Sequence, residues 1–445
     1  MQLVRFPFLA VLWLSLIWTA LDPGRCAAVP ANPIAGDWLM NLDVAGTPVN
    51  KVLTLKVDGG KVSGTLRGLG QSAISGTLDK GALRFTVQED GKTYGEYEGA
   101  LRGDQLSGTA RVFHDQPEQR LPARWTARRL PPPASGPPRR HELVPTRFYR
   151  SFSPLNPPVL HVRSGDTVHT TTVDAGGTDE KGVHRVVGGN PQTGPFYVDD
   201  ALPGDTLKVT LTRLRLNRDW AISDDGLVPR ALSARLGERM KYEPRDIRWR
   251  LDRQRGLAMP DPPDPHLARY AVPVKPMLGC VATAPPPINA APPTGDSGSY
   301  GGNMDYNEVG EGAVVYLPVF EPGALLYVGD GHAVQGDGEL NGNALETSME
   351  VEFSVQVIHD HEIPGPRVET ADYIQAMALA GSLDDAFRQA TGHLTTWLLD
   401  EYKLTPSEAA QVMGTAVEYR ISEVADRNAG VVARLRKSLL ANLTH

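Results

Sequence analysis

The chain has 445 residues, which suggests two or three domains, and 41 % apolar against 22 % charged residues is an ordinary soluble globular balance. A net charge of −7 and a pI near 5.9 argue against a nucleic-acid partner, since no strongly basic face is needed to account for the composition. With 45 Gly and 37 Pro but only 7 % aromatics, many short strands and much ordered loop are expected.

The first segment reads as an address. Arg5 precedes an apolar run over residues 6–21, and Cys26-Ala27-Ala28 offers small residues for cleavage after Ala28. Pro7, Ser15 and Thr19 interrupt the run, which falls short of the ~20 residues a bilayer span needs. Residues 1–28 are therefore expected to be a signal peptide, with an uncleaved anchor as the alternative. The mature chain is then periplasmic or secreted, without stable membrane insertion. Cleavage would leave Cys280 with no disulfide partner. Set between Leu278-Gly279 and Val281, it reads as a buried, inert thiol.

Residues 35–130 predict a small antiparallel β domain. Alternating runs such as Leu53-Thr54-Leu55-Lys56-Val57 meet turns at Asp58-Gly59-Gly60, Asp79-Lys80-Gly81 and Arg102-Gly103-Asp104. The phrases Val62-Ser63-Gly64-Thr65, Ile74-Ser75-Gly76-Thr77 and Leu106-Ser107-Gly108-Thr109 recur as in a meander closing into a sandwich or barrel. No cluster of titratable groups appears there, so an accessory packing role is the simpler reading. Residues 131–140 form a Pro-rich linker, because consecutive prolines favour an extended spacer.

From 145 to 358 the pattern is again strand and turn, with matching Gly-Asp turns at Gly165-Asp166 and Gly204-Asp205. Residues 259–294 carry many prolines and predict a long ordered loop across the domain. Residues 372–399 and 407–426 show apolar spacing of helical period, and Thr405-Pro406-Ser407-Glu408 is a helix start with Thr405 as N-cap. The fold class expected is mainly β with C-terminal helices (α+β). It comprises a small antiparallel β-meander domain linked to a β-rich domain over 145–440, helical from 367 to 440.

The densest polar constellation is Gly329-Asp330-Gly331-His332-Ala333-Val334-Gln335-Gly336-Asp337-Gly338-Glu339, directly after the apolar strand Ala324-Leu325-Leu326-Tyr327-Val328. On a strand Asp330 and His332 point to one face, as do Asp337 and Glu339. Three carboxylates and an imidazole beside a buried strand would repel and desolvate one another without a cation. Carboxylate plus His suits a zinc-like divalent ion; the alternative is a polar Gly-rich hairpin at the surface. An EF-hand is excluded by the spacing. Gly301-Gly302-Asn303-Met304-Asp305 and Asp174-Ala175-Gly176-Gly177 are weaker companions, since Asp with Gly usually marks a turn. Gly295-Asp296-Ser297-Gly298 looks like the nucleophile loop of trypsin-like proteases, but neither paired cysteines nor an Ala-His-Cys segment accompanies it.

Residues 145–440 resemble the acetamidase/formamidase family. The resemblance rests on Ser164-Gly165-Asp166-Thr167-Val168, Asn190-Pro191-Gln192-Thr193-Gly194-Pro195, Pro276-Met277-Leu278-Gly279, Gly301-Gly302-Asn303-Met304-Asp305, the 329–339 run with Glu346, and Asp426-Arg427-Asn428-Ala429-Gly430-Val431. It implies metal-assisted hydrolysis of a short linear amide to a carboxylate and ammonia. Under it, Asp174, Asp305, Asp330 and His332 would hold a divalent ion, expected to be zinc. Glu339 or Glu346 would act as general base, with Asn303 and Gln335 hydrogen-bonding the substrate. The extra β domain, the signal peptide and Gly176-Gly177 in place of an expected Gly-Gln pair depart from the pattern and leave the amide open. The runner-up is a non-catalytic exported metal- or ligand-binding protein on the same fold. A small-molecule amide is the expected partner, and a homo-oligomer is left open.

Overall fold

The computed structural model describes residues 32–113, 120–132, 136–240 and 245–443. The expected signal peptide lies outside them. Among the described residues no helix is long and apolar enough to cross a membrane.

Eight consecutive antiparallel strands, from Gly36–Val44 to Arg120–Arg129, form a closed barrel in which Trp38 pairs opposite Arg129. Alternation fills it: Trp38, Met40, Leu42, Leu53, Leu55, Leu83, Phe85 and Trp125 all turn inward and are buried. Phe85 stacks on Tyr97 at 4.7 Å and meets Trp125 edge-on at 6.1 Å. The interior is therefore a packed core rather than a ligand channel. The recurring Ser-Gly-Thr phrase has a steric origin. A Cβ at Gly64, Gly76 or Gly108 would lie 1.9, 2.0 or 1.8 Å from a carbonyl oxygen of the neighbouring strand.

The rest of the chain stacks a 12-stranded sheet on a 9-stranded one. Val168, Leu207, Val209, Val351 and Phe353 of the second sheet interdigitate with Phe196, Leu278, Val281, Leu326 and Val328 of the first. Residues 259–294, expected as a loop, contain the strand Met277–Ala282, which is buried throughout and central to its sheet. Cys280 on it is buried, as expected, and burial pushes its thiol pKa up.

The segment 367–440 is not helical throughout. It supplies the strands Arg367–Glu369, Tyr373–Ala380, Glu418–Ile421 and Ala429–Arg436 besides the helices Leu383–Asp400 and Pro406–Ala416. The misreading has a physical cause. Tyr373–Ala380 is covered on both faces, with Met377 and Leu379 in the intersheet core and Ile374, Ala376 and Ala378 under the helices. A strand buried on both sides reads as a continuous apolar run, like a buried helix. The second helix starts as expected: Thr405 accepts from Glu408 N in a capping box.

The barrel is docked on the sandwich. Arg67 Nη1 donates to Asp205 at 2.6 Å with both residues buried, and Asn50 Nδ2 donates to Glu321 at 2.7 Å.

Candidate active site

The strand Leu326–His332 is buried along its whole length, so Asp330 and His332 sit inside the protein rather than on a surface hairpin. Its neighbours bring the remaining groups. The short strand Glu346–Thr347 pairs Glu346 opposite His332, which sets Glu346 Oε1 2.9 Å from His332 Nε2. Asp330 Oδ1 lies 3.4 Å from the same nitrogen. On the other side, Leu278 pairs with Gly331 and Cys280 with Gly329, leaving Gly279 facing Asp330. A Cβ at Gly279 would lie 2.3 Å from Asp330 Oδ2 and 2.4 Å from Asp305 Oδ1, so only glycine admits both carboxylates. Asp305 is held there by its own N–H and that of Met304, which donate to Gly279 O at 3.1 and 2.8 Å.

The imidazole is locked by Gln335. The Gln335 amide Nε2 donates to Asp305 O at 2.6 Å and to Ser422 O at 3.2 Å, which orients its Oε1 toward His332 Nδ1 at 2.9 Å. Nδ1 must then carry a proton, and in the neutral ring Nε2 presents its lone pair to Asp330 and Glu346. Nε2 and Glu346 Oε2 are buried and make no hydrogen bond among the described residues. Buried polar atoms left unpaired and converging in one place are a donor set that a cation could satisfy. Asp330, His332 and Glu346 offer ligand atoms within 4.8 Å of one another, and this set fits a zinc-like ion. Asp305, His332 and Glu339 do so too, but there the nearer imidazole nitrogen is the one engaged by Gln335.

Other expected residues fall differently. Asp174 lines the same cleft but is not within ligand distance of these groups. Its carboxylate accepts from Arg218 Nη2 at 2.7 Å and from Thr178 N at 2.8 Å, so a buried guanidinium stands where a metal was expected. Asp337 points outward to Arg420 and Asn307, because Gly338 and Glu339 both take positive φ and break the alternation assumed for a strand. Asn303 Nδ2 donates to Asp305 at 2.7 Å and Asp426 at 2.6 Å, and its Oδ1 accepts from Asn190 at 2.6 Å. Asn303 and Gln335 thus hold the carboxylates and the imidazole rather than presenting free groups to a substrate. Ser297 is buried, and its hydroxyl donates to Glu423 at 3.4 Å, with no imidazole to activate it.

Glu423 and Asp426 were missed. They come from residues 422–428, the connection between the strands Glu418–Ile421 and Ala429–Arg436. Gly338 anchors it, donating to Ile421 O and Ser422 O and accepting from Val424 N. With Asp305 they form a further group of ligand-competent carboxylates. Burial pushes Asp305, Glu339 and Glu423 well above the usual carboxylate range, and neighbouring carboxylates add to it. Burial likewise moves Glu346 up to about 7 and Asp426 up to about 6. For His332, burial alone would lower the pKa, but Glu346 and Asp330 hold it well above the ordinary value. Protons or a cation must neutralise this cluster. Asp305, Asp330, Glu339 and Asn190 all have positive φ, backbone strain of the kind concentrated at functional sites.

The cluster floors a cleft of about 660 Å³, walled by Asp174, Asn190, Trp220, Ile222, Asn303 and Asp426 among others. A sequence profile of the Acetamidase/Formamidase family matches residues 288–434. The structure is similar to that of a predicted acetamidase/formamidase from Thermoanaerobacter tengcongensis, with a TM-score of 0.59 and 30 % identity over 68 % of this chain and 98 % of that one. It is also similar to an acetamidase from Bacillus halodurans, with a TM-score of 0.59 and 27 % identity over 68 % of this chain and 100 % of that one. Formamidase of Methylophilus methylotrophus is 30 % identical over 149 residues, 28 % of this chain and 36 % of that relative. The chain thus spans about a third, or less, of the length of the curated relatives it matches. The profile match, with the 30 % identical solved structure covered over 98 % of its length, shows that this chain belongs to the acetamidase/formamidase family.

Proposed function

We propose that the chain hydrolyses a linear carboxamide in this cleft, with a divalent cation, expected to be zinc, held by Asp330, His332 Nε2 and Glu346. The observation that carries the reading is the fully buried Nε2 flanked by two carboxylates, Glu346 at 2.9 Å and Asp330 at 3.4 Å. When bound, such an ion supplies Lewis-acid polarisation of the amide carbonyl. Water adds its oxygen to the amide carbon, the C–N bond breaks, and nitrogen leaves as ammonia with one of the water's protons. The second stays with the new carboxyl group.

The chain's own residues manage the protons. Glu339 is anchored through Oε1 by Ala344 N at 3.0 Å, and burial raises its pKa well above the usual carboxylate range. It lines the cleft, where it can give a proton to the leaving nitrogen and recover one from the attacking water, so its own charge is unchanged over the turnover. Asp426, steadied by Asn303 at the same wall, is the second carboxyl able to exchange a proton there. Gln335 keeps His332 from turning. The chain is further proposed to be exported, with a mature N-terminus at Val29 that N-terminal sequencing of the exported protein would reveal.

The test is ammonia release from a panel of amides before and after chelation, with metal add-back. Chelator-sensitive release, restored by a divalent ion and lost in His332→Ala, is expected. Metal retained with no release from any amide would favour the non-catalytic binding protein instead.

A further inference from the structure

The cleft is far larger than the smallest amides require. At ~30 Å³ per water, about 660 Å³ holds roughly twenty waters, and acetamide, with its few non-hydrogen atoms, would displace only a small part of them. The wall away from the carboxylate floor is not uniformly polar. Trp220 and Ile222 form one side, and the indole is fixed by the guanidinium of Arg218, 3.5 Å from its ring centre, with Arg248 at 5.0 Å.

The same cleft is lined by Arg150. Its backbone oxygen accepts from Thr294 N at 3.2 Å, which ties it to the Pro293–Gly295 wall. Its guanidinium lies along Gly189, where a Cβ would sit 3.1 Å from Nη2. Neighbouring arginines are already engaged: Arg218 with Asp174 at 2.7 Å, Arg185 with Asp179 at 2.6 Å and Arg427 with Asp296 at 3.0 Å. Among the described residues Arg150 is the cation that lines the cleft and has no carboxylate at ion-pair distance.

Resting on the amide-hydrolysis reading, we infer that the preferred substrate is an amide whose acyl chain carries an anionic group at its far end. The amide enters toward the buried floor, and Arg150 takes the anion at the mouth. Trp220 and Ile222 offer the chain an apolar wall to lie along. A planar guanidinium with no internal partner suits a carboxylate, since it offers two parallel donors.

The experiment compares kcat/KM for acetamide, butanamide and succinamate (the monoamide of a four-carbon dicarboxylate) in wild type, Arg150→Gln and Trp220→Ala. The wild type is expected to favour succinamate over butanamide by about tenfold or more, the worth of one charge-assisted hydrogen bond. Arg150→Gln should erase that preference through KM, whereas Trp220→Ala should erase the advantage of butanamide over acetamide. Matching thermal midpoints will establish that both variants are folded. Turnover of acetamide and succinamate at equal kcat/KM, or a preference that survives Arg150→Gln, would overturn this inference alone. No turnover of any amide would remove the underlying reading with it.

Discussion

Gln335 decides which atom of His332 is available. Its amide is oriented by two backbone carbonyls, so the imidazole receives an acceptor at Nδ1 and keeps Nε2 for the site. Gln335→Ala should weaken divalent-ion affinity about 10–100-fold, as loss of a ligand's hydrogen-bond partner does elsewhere. Calorimetric titration of the metal-free protein would measure this, and unchanged affinity would refute the clasp. Gly279→Ala should be more severe. Its methyl would overlap both Asp305 and Asp330, costing about 1–3 kcal/mol of stability through overpacking and abolishing ion binding in the same titration. Asp330, His332, Glu339 and Glu346 were legible in the sequence because they cluster in and just after one Gly-rich run behind an apolar strand. Asp174 was misjudged because a Gly-Asp turn does not reveal a partner such as Arg218, distant in sequence. Glu423 and Asp426 lie in a connection whose 426–431 string supported the resemblance but gave no sign of a ligand role, and the pairing of Gly338 with that connection brings them in.

Strands and helices differ in what their ends disclose. The helix Pro406–Ala416 was readable at its start because its cap is local chemistry, and Thr405→Ala should cost ~1 kcal/mol, seen as a lower thermal midpoint. Its end was not readable, since the strand Glu418–Ile421 that follows depends on a partner, Ala429–Arg436, rather than on its own residues. The barrel strands, each half-buried, alternate cleanly and announced themselves. The strand Thr167–Thr171 illustrates a stabilised entry. Just before it, buried Asp166 accepts from Arg139 N at 2.7 Å and Arg163 N at 3.1 Å, with His141 Nε2 at 2.8 Å. Burial alone would raise its pKa, but the bonds from His141, Arg139 and Arg163 prevail and hold it below the ordinary 3.8. A depressed folded-state pKa stabilises above the unfolded value, and the stabilisation fades as pH falls through the folded one. Asp166→Asn should therefore cost about 1.5–3 kcal/mol at pH 7, and denaturant titration should find the difference shrinking below about pH 4. A cost independent of pH would contradict this account.

Over the whole molecule, the barrel and the sandwich meet through a buried ion pair, which works more as a fastener than as a source of stability. Arg67→Ala leaves Asp205 buried with one strong partner fewer, and should cost about 3 kcal/mol or more. Scanning calorimetry is expected to show the barrel melting separately in this variant, while a single transition at an unchanged temperature would argue against the fastening. The composition and the prolines anticipated two β-rich parts, yet nothing in them revealed this contact. Arg67 and Asp205 are ordinary residues until two distant surfaces are brought together. The late position of Glu423 and Asp426 has a consequence for biosynthesis. A chain emerging from the ribosome displays its barrel and most of both sheets before these two acids exist. The acidic complement of the site is therefore complete only once residues 422–428 are in place against Gly338.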